Sequence, residues 1–364
     1  MITNRSWAEI NLVALERNLR LIRDSLPSRV RYVSVVKADA YGHGIHPTAA
    51  RLMQSGVDVF AVANVQEASE IREMGSGWPI LILGPLLEDE DEALIEFNLI
   101  PTLSSKIELE RFKKISQKHQ KIISAHLKID TGMHRLGFDP SEVNEVKSLL
   151  SEGSVEVAGI FTHFSMADLP SEDDFTHNQA YIFEQTYLKL TMGLSHQPLK
   201  YASNSSAIVR FSKYHFDMVR LGIGLYGFDP SRSMNLSPVS VLKTRISQIK
   251  TVKKGEYIGY GTAGRADRDT TIAIVPIGYA DGYARVFGKG RGFMGLHDHQ
   301  VPTIGNICMD MTMLDVTGIS CFEGNTVVVF GENPTIEDLA EWAQTIPYEI
   351  LTGVSQRVSR IFIG

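Results

Sequence analysis

Up to about residue 235, short apolar runs rich in valine, isoleucine and leucine alternate with longer stretches whose apolar residues recur three and four positions apart. The short runs predict buried strands and the longer stretches amphipathic helices, because side chains return to one face every second residue in a strand and about every 3.6 residues in a helix. Eight strands are predicted, at 33–36, 57–62, 79–83, 99–103, 125–129, 157–162, 199–202 and 216–221. Between strands lie helical stretches, and before the first of them Leu12, Leu15, Leu19, Ile22 and Leu26 set a single apolar stripe. Eight such strand and helix units predict an α/β fold, a closed (β/α)8 TIM-type barrel.

After Pro238 the pattern changes. Strand-like runs at 239–242, 271–275, 311–316 and 326–330 are separated by Gly and Asp turns, with one helix at 336–343. This predicts a mainly β domain at 236–364 after a barrel domain at 1–235, joined through 229–238, where Pro230, Ser231, Ser233, Ser237 and Pro238 cluster.

Composition narrows the class. The 364 residues are 43% hydrophobic and 21% charged, ordinary values that point away from disorder and from a disulfide scaffold. The net charge of −6 is spread over the chain in short runs of mixed sign, which argues against nucleic acid as a partner. Residues 1–7 lack a secretory pattern, and no run approaches the ~20 apolar residues of a membrane span, so a cytoplasmic protein without membrane partners is expected. Cys308 and Cys321 form no framework, which suits a reducing compartment.

In a barrel of this kind, catalytic groups stand at the carboxyl ends of the strands. The first barrel strand runs into Lys37, and an amine at an apolar mouth loses solvation, which lowers its pKa and lets it attack an aldehyde. Lys37 is therefore a Schiff-base candidate, against the plainer reading of a lysine that reaches the rim and stays in water. Alternation puts Lys128 and Asp130 on one face of the fifth strand. An inward Lys128 needs a partner, either Asp130 or a modification; an outward one pairs on the surface. Arg135 follows, the sixth strand delivers His163, the seventh Asn204 and Ser205, and the eighth Arg220, Gly222 and Ile223. Small residues in the last two turns suit a phosphate, because backbone N–H groups and hydroxyls can approach its oxygens. Singly, His163 reads as a core histidine and Gly222 as a turn glycine. The signal is that Lys37, Arg135, His163, Ser205 and Arg220 all fall at strand ends. His297-Asp298-His299 has no further ligand in view, so an exposed loop and no metal are expected there.

The segment Val35-Val36-Lys37-Ala38-Asp39-Ala40-Tyr41-Gly42-His43-Gly44 resembles the cofactor-lysine signature of the alanine racemases, a barrel family that uses pyridoxal 5'-phosphate (PLP). The resemblance continues through Lys128-Ile129-Asp130-Thr131-Gly132-Met133-His134-Arg135-Leu136-Gly137, Thr162-His163-Phe164-Ser165, Asn204-Ser205 and Met218-Val219-Arg220-Leu221-Gly222-Ile223. In the second domain it takes in Gly259-Tyr260-Gly261, Gly278-Tyr279-Ala280-Asp281-Gly282, Ile307-Cys308-Met309-Asp310 and Arg357-Val358, so it runs collinearly through nearly the whole chain.

The resemblance implies that Lys37 holds PLP covalently, with Tyr41, Ser205, Gly222 and Ile223 at the phosphate and Asn204 and Gln356 also in the cofactor's surroundings. It places His163 beside the ring and Arg220 on the ring nitrogen. A guanidinium donates a hydrogen bond there but not a proton, which favours return of a proton to Cα over transamination. Racemisation needs acid/base groups on both faces of Cα. The resemblance names Lys37 and Tyr260, the latter from the partner subunit of a homodimer with shared sites, and asks cations such as His163 and Arg220 to make the phenol a usable base. Arg135 and the backbone around Met309 would hold the carboxylate of a small amino-acid substrate, with Tyr279 and Asp310 beside it, and Lys128 would be carboxylated. Alanine is the implied substrate, and D-alanine for peptidoglycan the implied product.

One departure concerns Gln356, where many relatives carry a tyrosine; a lost aromatic wall bears on substrate breadth and keeps a racemase of other small amino acids, such as serine, as an alternative. A non-catalytic PLP carrier shares the barrel lysine but lacks a second domain. A basic amino-acid decarboxylase finds only a superficial match in Cys308, and a class I aldolase leaves the second domain unexplained.

Overall fold

The computed structural model describes residues 4–150, 153–194, 196–231 and 233–364; the first three residues of the stretch read for a leader lie outside it. The chain opens with β1 (Ser6–Asn11). Eight parallel strands then close a barrel: β2 (Arg31–Val35), β3 (Val59–Val62), β4 (Ile80–Ile82), β5 (Ile100–Leu103), β6 (Ile123–Lys128), β7 (Val155–Phe161), β8 (Leu199–Tyr201) and β9 (Met218–Leu221). Each overlaps one of the eight predicted runs. Closure is made by β2, whose Val33 lies opposite Val59 of β3 on one side and Arg220 of β9 on the other.

These runs are largely apolar and do not alternate strictly, because one face fills the barrel and the other meets helices. Val33, Phe60, Leu81, Leu103, Leu127 and Leu221 are all fully shielded. Around them the predicted stripe holds: Leu15, Leu19, Ile22 and Leu26 are buried, while Leu21 on the opposite side of the same helix is exposed. Burial of each such side chain contributes ~1.5–3 kcal/mol.

The later part of the chain carries β10 (Ser240–Arg245), β11 (Gln248–Val252), β12 (Thr270–Val275), β13 (Phe293–Leu296), β14 (His299–Pro302), β15 (Thr312–Asp315), β16 (Thr326–Phe330) and β17 (Ser359–Ile363). They form a six-stranded sheet of order β14-β13-β16-β10-β1-β17 and a three-stranded sheet β11-β12-β15. The predicted helix is found at Ile336–Ala343, and a second at Pro347–Thr352. Ile258, Ala266, Ile272 and Met313 make a small core of this unit. His297 and Asp298 are the two-residue turn between β13 and β14, exposed as expected, with His297 in the left-handed region at φ 52°.

The structure differs from the predicted division at the amino terminus. Two compact units are present, and the one built on Pro238–Gly364 also takes the described residues up to Ala14 and Tyr41–Gly44. The reason is β1, absent from the predicted strands, which pairs antiparallel with β10 and parallel with β17. Ser6 Oγ donates to Pro276 O at 2.9 Å, and Lys243 reaches Glu9 at 2.7 Å, so both faces of that pairing are tied. Leu15–Ala40 and Ile45–Ser237 form the barrel unit.

The connecting stretch is not slack. Asp229 accepts from the backbone of Ser231, Ser233 and Met234. Asn18, fully buried, donates to Leu225 O at 3.1 Å and Ser237 O at 2.8 Å and accepts from Ser237 N at 2.8 Å. No helix among the described residues is long and apolar enough to cross a membrane. Replacing Asn18 by Ala strands three backbone groups, at ~1–3 kcal/mol for each one left buried and unbonded. Asn18→Ala is expected to lower stability by about 2–4 kcal/mol, read as a fall in the midpoint of urea unfolding; an unchanged midpoint would show that water replaces the amide at no cost.

Candidate active site

Lys37 follows β2 and begins a helical turn, Lys37–Gly42, of unusual hand. Ala38, Asp39, Ala40 and Tyr41 have φ of 54°, 52°, 53° and 56°. For non-glycine residues this left-handed conformation costs roughly 1–2 kcal/mol each, so the surroundings must hold it. Ala40 N donates to Val36 O at 2.9 Å, and the Asp39 carboxylate accepts from Ile45 N at 2.7 Å, which starts the helix Ile45–Gln54. Burial holds the Lys37 amine below its ordinary pKa; Arg135 and Arg220 push the same way, against Glu67.

Arg220 on β9 is the centre of the barrel mouth. Its Nη2 donates to Thr162 O at 3.0 Å, Ala202 O at 2.9 Å and His163 Nδ1 at 3.0 Å, and its guanidinium lies 5.2 Å from the Phe161 ring and 5.3 Å from the Tyr201 ring. Burial brings its pKa down to about 10, so it stays cationic at neutral pH. Because a guanidinium only donates, His163 Nδ1 is the acceptor in that bond. Burial, with Arg220, Arg135, Lys128 and Lys37 around it, holds His163 well below its ordinary pKa, and the neutral ring therefore carries its hydrogen on Nε2. This corrects one expectation, since a neutral His163 is not a cation that could assist a phenol.

Lys128, the last residue of β6, is 3% exposed, so the inward alternative holds. Burial, with Arg220 and Arg135, brings its pKa down to about 8 despite Asp130. Asp130 is only part of the answer to that charge. Its Oδ1 accepts from the backbone of Gly132, Met133 and His134 at 2.9–3.1 Å and shapes the turn that presents Arg135. That loop returns to the strand through Phe138 N to Lys128 O (2.9 Å) and Asp130 N to Phe138 O (3.0 Å). Gly137, at φ 120°, permits the return: a Cβ there would lie 2.8 Å from Asp130 N and 3.0 Å from Lys128 O.

Ser205 Oγ accepts from Gly222 N at 3.0 Å and Gly224 N at 3.2 Å, drawing together the turns after β8 and β9. Asn204 caps the helix Ser205–Arg210 by accepting from Ala207 N and donates to Phe164 O, both at 3.0 Å. Ile223 is buried in the next turn. Beneath His163, buried Gln179 donates to His163 O and accepts from Ser165 N, a link across the strand end that no motif announced.

The remaining expected residues lie in the other unit. Tyr41 is buried there, 6.0 Å from the Tyr348 ring, and burial pushes its hydroxyl pKa up. Tyr260 sits between Gly259 and Gly261, both at positive φ, and its carbonyl accepts from Asn306 Nδ2 at 2.8 Å. Tyr279 N donates to Cys308 O and Ala280 N to Met309 O, and a Cβ on Gly278 would come within 2.4 Å of both carbonyls. Asp310 accepts from Arg357 at 2.8 Å, next to exposed Gln356. Tyr260, Tyr279, Met309 and Asp310 are thus joined through one hydrogen-bonded loop, with Tyr260 72% and Met309 53% exposed.

The residues at the barrel mouth fit PLP on one observation in particular. Arg220 Nη1 is buried with no hydrogen-bond partner among the described residues, and a pyridine nitrogen is the kind of acceptor it lacks. Lys37 supplies an amine, and the Ser205, Gly222 and Ile223 turns supply small groups suited to phosphate.

Family models match the chain almost throughout, the alanine racemase N-terminal domain over residues 10–230 and the alanine racemase C-terminal domain over residues 239–362. The chain is similar to the alanine racemase of Halothermothrix orenii, 41% identical over 369 residues that cover 99% of this chain and 97% of the relative. Among solved structures it is similar to the alanine racemase of Clostridium difficile 630, at 36% identity and TM-score 0.93, covering 100% of this chain and 97% of that one. The alanine racemase of Bartonella henselae with covalently bound pyridoxal phosphate is 29% identical, with TM-score 0.93 over 99% of this chain and 100% of that one.

Gly137 gives a direct check of how the Arg135 loop is held. Gly137→Ala is expected to cost about 2–4 kcal/mol through backbone collision as well as φ, whereas Gly318→Ala, at φ 80° with nothing within 4 Å of its Cβ, should cost about 1 kcal/mol. Urea unfolding of both variants checks this, and equal losses would mean that the contact with β6 does not hold the loop.

Proposed function

The chain belongs to the alanine racemase family and is a PLP-dependent isomerase that interconverts L- and D-alanine, and we propose that it does so with Lys37 and Tyr260 as the acid/base pair. The observation that carries the assignment at the barrel is the cluster of Lys37, Lys128, Arg135, His163 and Arg220, in which burial first, and then Arg135 and Arg220, hold Lys37, Lys128 and His163 below their ordinary proton affinities. PLP, when bound, supplies a carbonyl for the substrate amine and a ring into which charge on Cα can spread.

Lys37 would hold the cofactor, and its amine would move the proton on one face of Cα. Its depressed pKa leaves more of the amine neutral near pH 7, the form able to accept a proton. Tyr260 serves the other face, contributed by a second copy in a homodimer; its exposure in the single chain supports that reading. Arg220 offers its unpartnered N–H to the ring nitrogen and withholds a proton from it. His163 lies beside the ring as a neutral imidazole. Tyr41, Asn204, Ser205, Gly222, Ile223 and Gln356 take the phosphate end, while Arg135 and the backbone around Met309 take the substrate carboxylate, with Tyr279 and Asp310 beside it.

Lys128 is carboxylated on this reading. A neutral amine is the form that adds carbon dioxide, and a pKa of about 8 provides it; the product anion would also relieve the repulsion with Arg135 and Arg220. D-alanine made in the cytoplasm then feeds peptidoglycan.

Loss of optical activity from L-alanine, with L-serine and L-lysine in parallel, tests the assignment. L-alanine should react fastest and Lys37→Ala should be inert; a faster reaction with serine would make Gln356 the first residue to replace by Tyr. Tyr260→Phe should lose roughly 10²–10⁴-fold in at least one direction, and wild-type rates both ways would remove it from the mechanism. In a crystal of the holoenzyme, electron density should continue beyond Lys128 Nζ; a bare amine would end the carboxylation proposal.

A further inference from the structure

The left-handed turn after Lys37 needs a restraint at its first peptide group, and one carboxylate provides it. Ala38 N, the amide hydrogen donor of the Lys37–Ala38 peptide, donates to Glu67 Oε1 at 2.7 Å. The other oxygen, Oε2, accepts from Ala63 N at 2.7 Å, just past the end of β3. Glu67 therefore bridges the ends of two neighbouring barrel strands. Both sides of the bridge are firm. Glu67 stands in the first turn of the helix Val65–Met74, where Asn64 accepts from its backbone N–H at 2.9 Å. Ala63 is packed so closely on Gly84 that a Cβ on the latter would come within 2.3 Å of the Ala63 carbonyl.

Charge points the same way. The groups that act electrostatically on Lys37 are Arg135 from the loop after β6, Arg220 from β9 and Glu67, and His163 beyond β7 feels the Lys37 charge in turn. Of these, Glu67 alone is an anion. We propose that Glu67 is a positioning residue for the cofactor lysine, gripping the Lys37–Ala38 peptide at the barrel mouth and supplying the negative charge that faces an otherwise cationic cluster. The inference rests on Lys37 being the residue that holds PLP.

Borohydride reduction of wild-type holoenzyme, followed by peptide mass spectrometry, locates the cofactor lysine first; a cofactor fixed elsewhere would sink that premise separately from the role of Glu67. The pH dependence of acetylation at Lys37 is then measured in the full chain freed of cofactor, since only the neutral amine reacts. Glu67→Gln keeps the size and removes the charge, so Lys37 should become reactive at a pH lower than wild type by about half a unit or more. Racemisation by the same variant loaded with PLP should fall at least about tenfold. Glu67→Asp keeps the charge but is too short to span both amides, and should retain the wild-type acetylation profile while losing rate. Asn64→Ala loosens the same helix start and should lower the thermal midpoint without moving the Lys37 profile. An unmoved profile in Glu67→Gln, or the same displacement in Asn64→Ala, would overturn the proposal.

Discussion

The barrel mouth depends on one buried cation. Arg220 is 4% exposed, and a guanidinium in that position is tolerable only if its hydrogens and its charge are both answered. Two carbonyls and the lone pair of His163 answer the hydrogens on one side, and the faces of Phe161 and Tyr201 answer part of the charge. These partners come from the ends of β7 and β8, so satisfying Arg220 also aligns the strand ends from which His163 and the Ser205 turn project. Tyr201 is itself fixed, its hydroxyl 2.7 Å from buried His126 and its ring stacked on Phe161.

From that cation the electrostatics of the site follow. Arg220 contributes to lowering the proton affinity of Lys37, Lys128 and His163, acting beside burial in every case. Concentrating positive charge in this way is costly for the protein alone and suited to a phosphorylated, carboxylate-bearing pair of ligands. The same arrangement keeps an amine available near neutral pH, which proton transfer at Cα requires.

The second unit solves a different problem, holding exposed groups still. Asp281, buried, accepts from Gly278 N at 3.0 Å and lies 3.5 Å from Arg357, which in turn binds Asp310. The turn carrying Tyr279 and the loop carrying Met309 and Asp310 are therefore tied at both ends, by carboxylates and by the close backbone approach that Gly278 allows. Tyr260 is held through its carbonyl, which leaves the phenol outside the bonded loop.

Local pattern was enough for much of this. The eight barrel strands are legible because most are largely apolar runs buried on both faces, and Lys37, Lys128, His163, Ser205 and Arg220 because a residue's place at a strand end is a property of the sequence alone. Collinear resemblance added Tyr260, Tyr279, Met309 and Asp310, which no local rule selects. Pairing partners were not legible. β1, β11, β13, β14 and β17 are short or half-polar, and become strands through neighbours distant in the chain, as β1 does between β10 and β17. The neutrality of His163 and the depressed pKa of Lys128 arise first from burial and then from cations gathered from different strands. Asn64 and Glu67 carry the spacing of a helix cap, yet the reach of Glu67 to Ala38 exists only once β2 and β3 lie side by side. The sequence by itself determined which residues stand at the mouth of the barrel; the tertiary structure decided which of them carry charge and which way they are held, because burial and through-space neighbours, unlike periodicity, are set only when the strands close.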